Sequence, residues 1–111
     1  MPFHHLLSVR MLALTVAVSL SACSSSSWVQ LSPQGQQVSL ATAAEVTNCT
    51  RLGTANVSAA DNIGFVQRSA RRLQEELVSL ARNEAGALGG NRVAPESTIN
   101  DGRQTFGVFR C

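Results

Sequence analysis

Between about residues 67 and 88 the apolar side chains return every three or four positions. Val66, Ala70, Leu73, Leu77, Leu80 or Ala81, and Leu88 fall on one stripe of a 3.6-residue helix. The opposite face carries Arg68, Arg71, Arg72, Glu75, Glu76, Arg82 and Asn83. Arg71 to Glu75 and Arg72 to Glu76 have i,i+4 spacing, in the weaker basic-first order. Gly89-Gly90 stops the helix. A single amphipathic helix cannot bury its stripe alone and needs a second layer. Its charged face is either a solvated surface or a docking surface for a partner, the latter built from Arg68, Arg71, Arg72, Glu75, Glu76 and Arg82.

The rest of the chain supplies strand-like segments for that layer. A Pro33-x-Gly35 turn precedes Gln37-Val38-Ser39-Leu40, which alternates polar and apolar. Residues 45–53 read as a strand because Val46 and Thr47 favour extension, with Gly53 marking a bend before a second segment at 55–58. Residues 59–64 read as loop. Arg92-Val93-Ala94 begins another strand, and Pro95 places it at an edge or marks its end. After the Asn100-Asp101-Gly102 turn signal, residues 104–111 run extended to Cys111, with Phe106 and Val108 on one face and Phe109 and Cys111 on the other. The expected fold is α+β: one long amphipathic helix on a small, mostly antiparallel sheet. Leu73, Leu77, Leu80 and Leu88 are expected to meet Phe106 and Val108 in its core.

The first residues do not belong to that domain. His4, His5 and Arg10 precede an apolar run from Met11 to Leu20, broken only by Thr15 and Ser19. That run is too short for a bilayer, which needs roughly 20 residues, and reads as a secretory signal. Cleavage after Ala22 by an ordinary signal peptidase would place Leu20 where a small residue is required. Leu20-Ser21-Ala22-Cys23 instead resembles the bacterial lipobox, whose cysteine is diacylated and becomes the mature N-terminus. The competing reading is a signal peptide that ends near a cysteine by chance. Several acyl chains hold a protein firmly to a membrane where one does not, and Ser24 after the cysteine resembles the signal for outer-membrane sorting. Ser24–Ser27 then serve as a spacer, and Trp28 either lies at the membrane interface or docks on the domain. This divides the chain into a signal peptide (1–22), a lipidated tether (23–30) and a domain (31–111).

Cleavage would remove both histidines, and the chain has no lysine or tyrosine; all nine basic residues are arginine. A histidine-based triad or metal site is thereby excluded from the mature part. Carboxylate chemistry stays formally open through Glu45, Asp61, Glu75, Glu76, Glu84, Glu96 and Asp101. Glu75 and Glu76 diverge by about 100° on a helix and cannot act as a facing pair. Gly89-Gly90-Asn91 lacks the lysine and spacing of a phosphate loop. A net charge of +2 on a 111-residue chain, with its arginines dispersed, is no footprint for nucleic acid. No catalytic, cofactor-binding or metal residues are expected.

With Cys23 lipidated, Cys49 and Cys111 remain as an even pair in an oxidising compartment. A structural disulfide is the plain reading, and a redox switch is its rival. The sequons Asn48-Cys49-Thr50 and Asn56-Val57-Ser58 are chance matches in a bacterial chain.

Leu31-Ser32-Pro33…Gly35…Val38, Cys49…Leu52-Gly53, Leu80-Ala81-Arg82-Asn83…Ala85…Gly89-Gly90-Asn91…Val93 and Phe109-Arg110-Cys111 resemble domain of unknown function 4156, a family of small Gram-negative lipoproteins. The Gly-Gly-Asn segment is the most specific part of the match. That same segment is similar to one in the outer-membrane lipoprotein sensor of the Rcs stress phosphorelay, which has more cysteines. The resemblance brings no activity and no catalytic residues. It implies a non-enzymatic lipoprotein of the outer membrane, facing the periplasm and anchored through Cys23. Such a protein either binds another envelope protein or relays stress, or has a purely structural role. Small-molecule binding would need an apolar pocket that about 85 residues around one helix can hardly enclose.

Overall fold

Ser69 starts the helix, three residues after the apolar stripe begins. The computed structural model describes residues 29–63 and 66–111. In it helix α1 runs Ala70–Ala87; Ser69 is extended and its Oγ accepts the Arg72 N–H at 3.2 Å. That cap satisfies one of the donors a helix leaves open at its first turn. At the other end Gly89 takes φ +84°. The Gly90 N–H bonds the Ala85 carbonyl and the Gly89 N–H bonds that of Gly86. These two bonds and the left-handed glycine make a Schellman motif, which explains why a Gly-Gly pair stands here.

The remaining elements are two strands before the helix, a small hairpin, and two strands after it. β1 is Ser39–Leu40, preceded by a 3-10 turn at Gly35–Gln37, and β2 is Thr50–Ser58. β3 (Asn62–Ile63) and β4 (Val66–Gln67) pair only with each other. β5 is Arg92–Pro95 and β6 is Arg103–Arg110. The main sheet has the order β1-β5-β6-β2, antiparallel except where β1 runs parallel to β5. This is the α+β architecture that the sequence predicts.

Both sheet faces carry apolar residues. Toward the helix, Val38, Ala55, Val57, Val93, Phe106 and Val108 pack with Leu73, Leu77, Ala81 and Ala85. The helical contribution recurs every four residues, as a stripe facing one layer must. Behind the sheet, Ala41 and Val46 cover Ala94 and Phe109, with Cys49 packed beside them. Alternation along β6 sends Phe106 and Val108 to the first cluster and Phe109 to the second.

Four expectations are corrected. Leu88 is 50% exposed, because the helix ends at Ala87 and the stripe outruns it; Leu80 is only partly buried. Residues 43–48 form turns, not a strand. The Thr42 N–H bonds Glu45 Oε1 and the Glu45 N–H bonds Thr42 Oγ1, a reciprocal capping box that overrides the β-preference of Val46 and Thr47. β2 starts only at Thr50 and continues through Gly53, where the register shifts between Arg51 and Gly53 as a bulge. Finally, Asn62–Ile63 is a strand where loop is expected.

Candidate functional site

Of the residues singled out by sequence, Cys23 lies outside the described residues. Cys49 and Cys111 are joined, with S–S 2.04 Å and Cα–Cα 4.6 Å. The bridge links the residue before β2 to the one after β6, beside the second apolar cluster. Asn91 holds it in place. The Cys111 N–H bonds Asn91 Oδ1 at 2.8 Å, and Asn91 Nδ2 donates to the Cys111 carbonyl at 3.0 Å. Asn91 N–H also bonds the Phe109 carbonyl. Gly90 sits where a Cβ would come within 2.7 Å of Val108 Cγ1. Gly89-Gly90-Asn91 and Phe109-Arg110-Cys111 are therefore one interlocked unit: the first stops the helix and clamps the end of the second.

A second asparagine secures the other end. The Ser32 N–H bonds Asn83 Oδ1 at 2.8 Å, and Asn83 Nδ2 donates to the Gln30 carbonyl at 2.8 Å. Beside it Arg82 Nε donates to the Val38 carbonyl. Asn83 and Asn91 each use one carboxamide to donate and accept, so each fixes a backbone segment in both directions.

The charged helix residues do not share one face. Arg71, Arg72 and Glu75 are exposed, with Arg71 Nε 3.7 Å from Glu75 Oε1. Arg68 and Glu76 turn inward and form a two-pronged ion pair whose side chains are 7% and 4% exposed. Glu76 neighbours the core positions Leu73 and Leu77 along the helix, and Arg68 reaches it from before the cap while also donating to the Ala60 carbonyl. The hydrogen bonds that Arg68 donates to Glu76 raise the Arg68 pKa further. Arg82 is half-buried against Val38. A docking surface made of all six residues is therefore not assembled; Arg71, Arg72 and Glu75 alone remain open to solvent.

Sequence reasoning missed the polar side of the sheet. Arg51 on β2 pairs with Glu96 just past β5 and lies over the Phe109 ring, 5.5 Å from its centroid. The hydrogen bond from Arg51 holds the Glu96 carboxyl below the usual glutamate range. Thr54, Asn56, Ser58, Arg103 and Thr105 continue this side away from the second apolar cluster, and the Thr105 hydroxyl donates to Asn56 Oδ1 at 2.9 Å. Only the β2–β6 and β5–β6 registers, non-local facts, bring these residues together. Among the described residues, no group of three or more His, Cys, Asp or Glu side chains could hold a metal ion, and no helix is long and apolar enough to cross a membrane.

Residues 29–111 match the family described as Domain of unknown function (DUF4156). No curated protein and no solved structure matches the chain.

Proposed function

Because the chain belongs over residues 29–111 to the DUF4156 family, whose description assigns no activity, we propose that it is a non-enzymatic, lipid-anchored module of the outer membrane. In this reading the domain is acylated at Cys23 and held facing the periplasm. There it engages another envelope protein or takes part in envelope stress sensing. One observation carries the reading: the domain is gripped from Gln30 onward, seven residues after Cys23. Asn83 grips Gln30 and Ser32, so the chain from Cys23 to Gln30 can span at most ~25 Å at about 3.5 Å per extended residue. The domain would sit close to the leaflet, within reach of membrane-bound partners. The lipobox-like Leu20-Ser21-Ala22-Cys23 and the absence of histidine, lysine and tyrosine after residue 5 support the same reading.

A structural or accessory role is the second reading. The residues that carry the family resemblance are committed to internal contacts, notably Asn83, Gly89, Gly90, Asn91 and Cys111. Two experiments test these proposals. Cys23→Ala should release the protein from the outer-membrane fraction; retention after a high-salt wash would refute the anchor. Co-purification from cross-linked cells should yield one stoichiometric partner; none at all would favour the accessory role.

A further inference from the structure

Arg103 differs from six other described arginines. Arg51, Arg68 and Arg71 pair with carboxylates, and Arg82, Arg92 and Arg110 donate to main-chain carbonyls. Among the described residues the Arg103 guanidinium has neither kind of partner, and the side chain is exposed. Its position is nonetheless well defined. The turn before it has positive φ at both central residues, Asp101 (51°) and Gly102 (71°), closed by the Asn100–Arg103 bridge. That is the hairpin turn suited to strand twist. The Ala59 N–H bonds the Gly102 carbonyl at 2.8 Å, which ties the turn to the end of β2.

The surroundings of Arg103 are rich in donors. It stands opposite Ser58 in the β2–β6 register, and Asn56 stands opposite Thr105 one pair further along the same face. Val57 and Gln104, between them, point to the helix side, where Gln104 accepts from Gln74. A hollow of about 410 Å³ lies here, lined by Asn56, Val57, Ser58, Arg103, Gln104 and Thr105, with no carboxylate in its wall. Because Asn56 Oδ1 receives the Thr105 hydroxyl, the carboxamide is oriented with its two N–H groups left to donate. The hollow thus presents a guanidinium, a carboxamide N–H₂ and a serine hydroxyl on one rigid pair of strands.

We propose that this hollow is a binding site for a small oxyanion, a carboxylate or a phosphate, with Arg103 as its charged anchor and Asn56 and Ser58 as its neutral donors. A planar guanidinium meets either group with two parallel hydrogen bonds, and charge-assisted bonds are stronger than neutral ones. The Asn56-Val57-Ser58 tripeptide, a glycosylation sequon by pattern only, supplies two of the three donors here. The inference does not depend on lipidation at Cys23 or on a protein partner.

The test is an NMR titration of the full mature protein, disulfide intact, with inorganic phosphate, glucuronate and glucose at constant ionic strength. Saturable shifts confined to residues 56–58 and 103–105 are expected with at least one of the two anions. Saturation by phosphate alone or by glucuronate alone would support the site and identify its source. Arg103→Gln should weaken that binding roughly tenfold or more, the scale of losing a charge-assisted hydrogen bond, and Asn56→Ala should weaken it less. Arg71→Gln, which removes an exposed charge on the helix, should leave it unchanged. Equal shifts with glucose, no saturable shift with either anion, or anion binding that survives Arg103→Gln would overturn the proposal.

Discussion

Arg51 of β2 pairs with Glu96 by reaching across the bare backbone of Gly107. The guanidinium meets both carboxylate oxygens, so β2 and the segment after β5 are joined over β6, the strand between them. A Cβ on Gly107 would lie 2.5 Å from Glu96 Oε2, 2.9 Å from Arg51 Nη1 and 2.7 Å from Phe109 Cε1. The two charged ends can swing aside; the Phe109 ring, buried in the second cluster, has less room. Gly107→Ala is therefore expected to cost about 1–3 kcal/mol, the usual scale of overpacking. An unchanged denaturation midpoint would show that the ring yields freely.

The same pair sets an acid limit. Arg51 lowers the Glu96 pKa, and the backbone and side chain of Thr42 lower that of Glu45. A carboxyl whose folded-state pKa lies below its unfolded value adds stability at higher pH and loses it as pH falls through the folded-state pKa. Stability should hold from neutral pH down to about 5 and decline below the ordinary glutamate value of ~4.3. Glu96→Gln should make that decline shallower in thermal melts taken across pH.

Leu77 is fully buried beneath Phe106 and Val108, whereas Leu88 is half exposed. Leu77→Ala is expected to lose about 2–5 kcal/mol, and Leu88→Ala no more than about 0.5 kcal/mol. Denaturant titration of the two variants side by side checks the assignment of the helix face.

The Arg68–Glu76 pair invites a double-mutant comparison. Removing one partner leaves a charge in a nearly closed site, which costs more than replacing both by apolar residues of similar volume. Arg68→Met and Glu76→Leu should each lower the unfolding midpoint further than the two changes together. Additive losses would mean the two charges are solvated independently.

Reduction of the disulfide opens a loop with a sequence separation of 62. In the chain-entropy account such a crosslink contributes about 4 kcal/mol, a large share of a typical domain's ~5–15 kcal/mol. Cys49→Ala with Cys111→Ala should lower the midpoint accordingly. A midpoint insensitive to reduction would assign the hold on Cys111 to Asn91 instead.

Local signals were the legible ones. The helical period, the Gly89-Gly90 stop and the Asn100-Asp101-Gly102 turn are each decided within a few residues, and each is found where the pattern places it. Val46 and Thr47 mislead because the Thr42–Glu45 capping box, also local, outweighs their β-preference. Glu76 misleads because helix spacing points to Arg72, while Arg68 arrives from outside the helix. The Asn56, Ser58 and Arg103 cluster depends on a register between segments more than 40 residues apart, which no window of sequence displays.

The crosslink also decides how the molecule would behave under tension. Residues 49–111 are a covalently closed ring, and the N-terminal segment 29–48 lies outside it. A pull on the N-terminus against a hold at Cys111 would first break the Asn83 grip on Gln30 and Ser32, then strip β1 from β5. Those 20 residues could pay out ~70 Å at about 3.5 Å each. Beyond that length the extension stops, because β2, α1, β5 and β6 are enclosed by the Cys49–Cys111 bond. Pulled between these two ends, the domain is a short extensible lead attached to a loop that carries no load while the bond is intact.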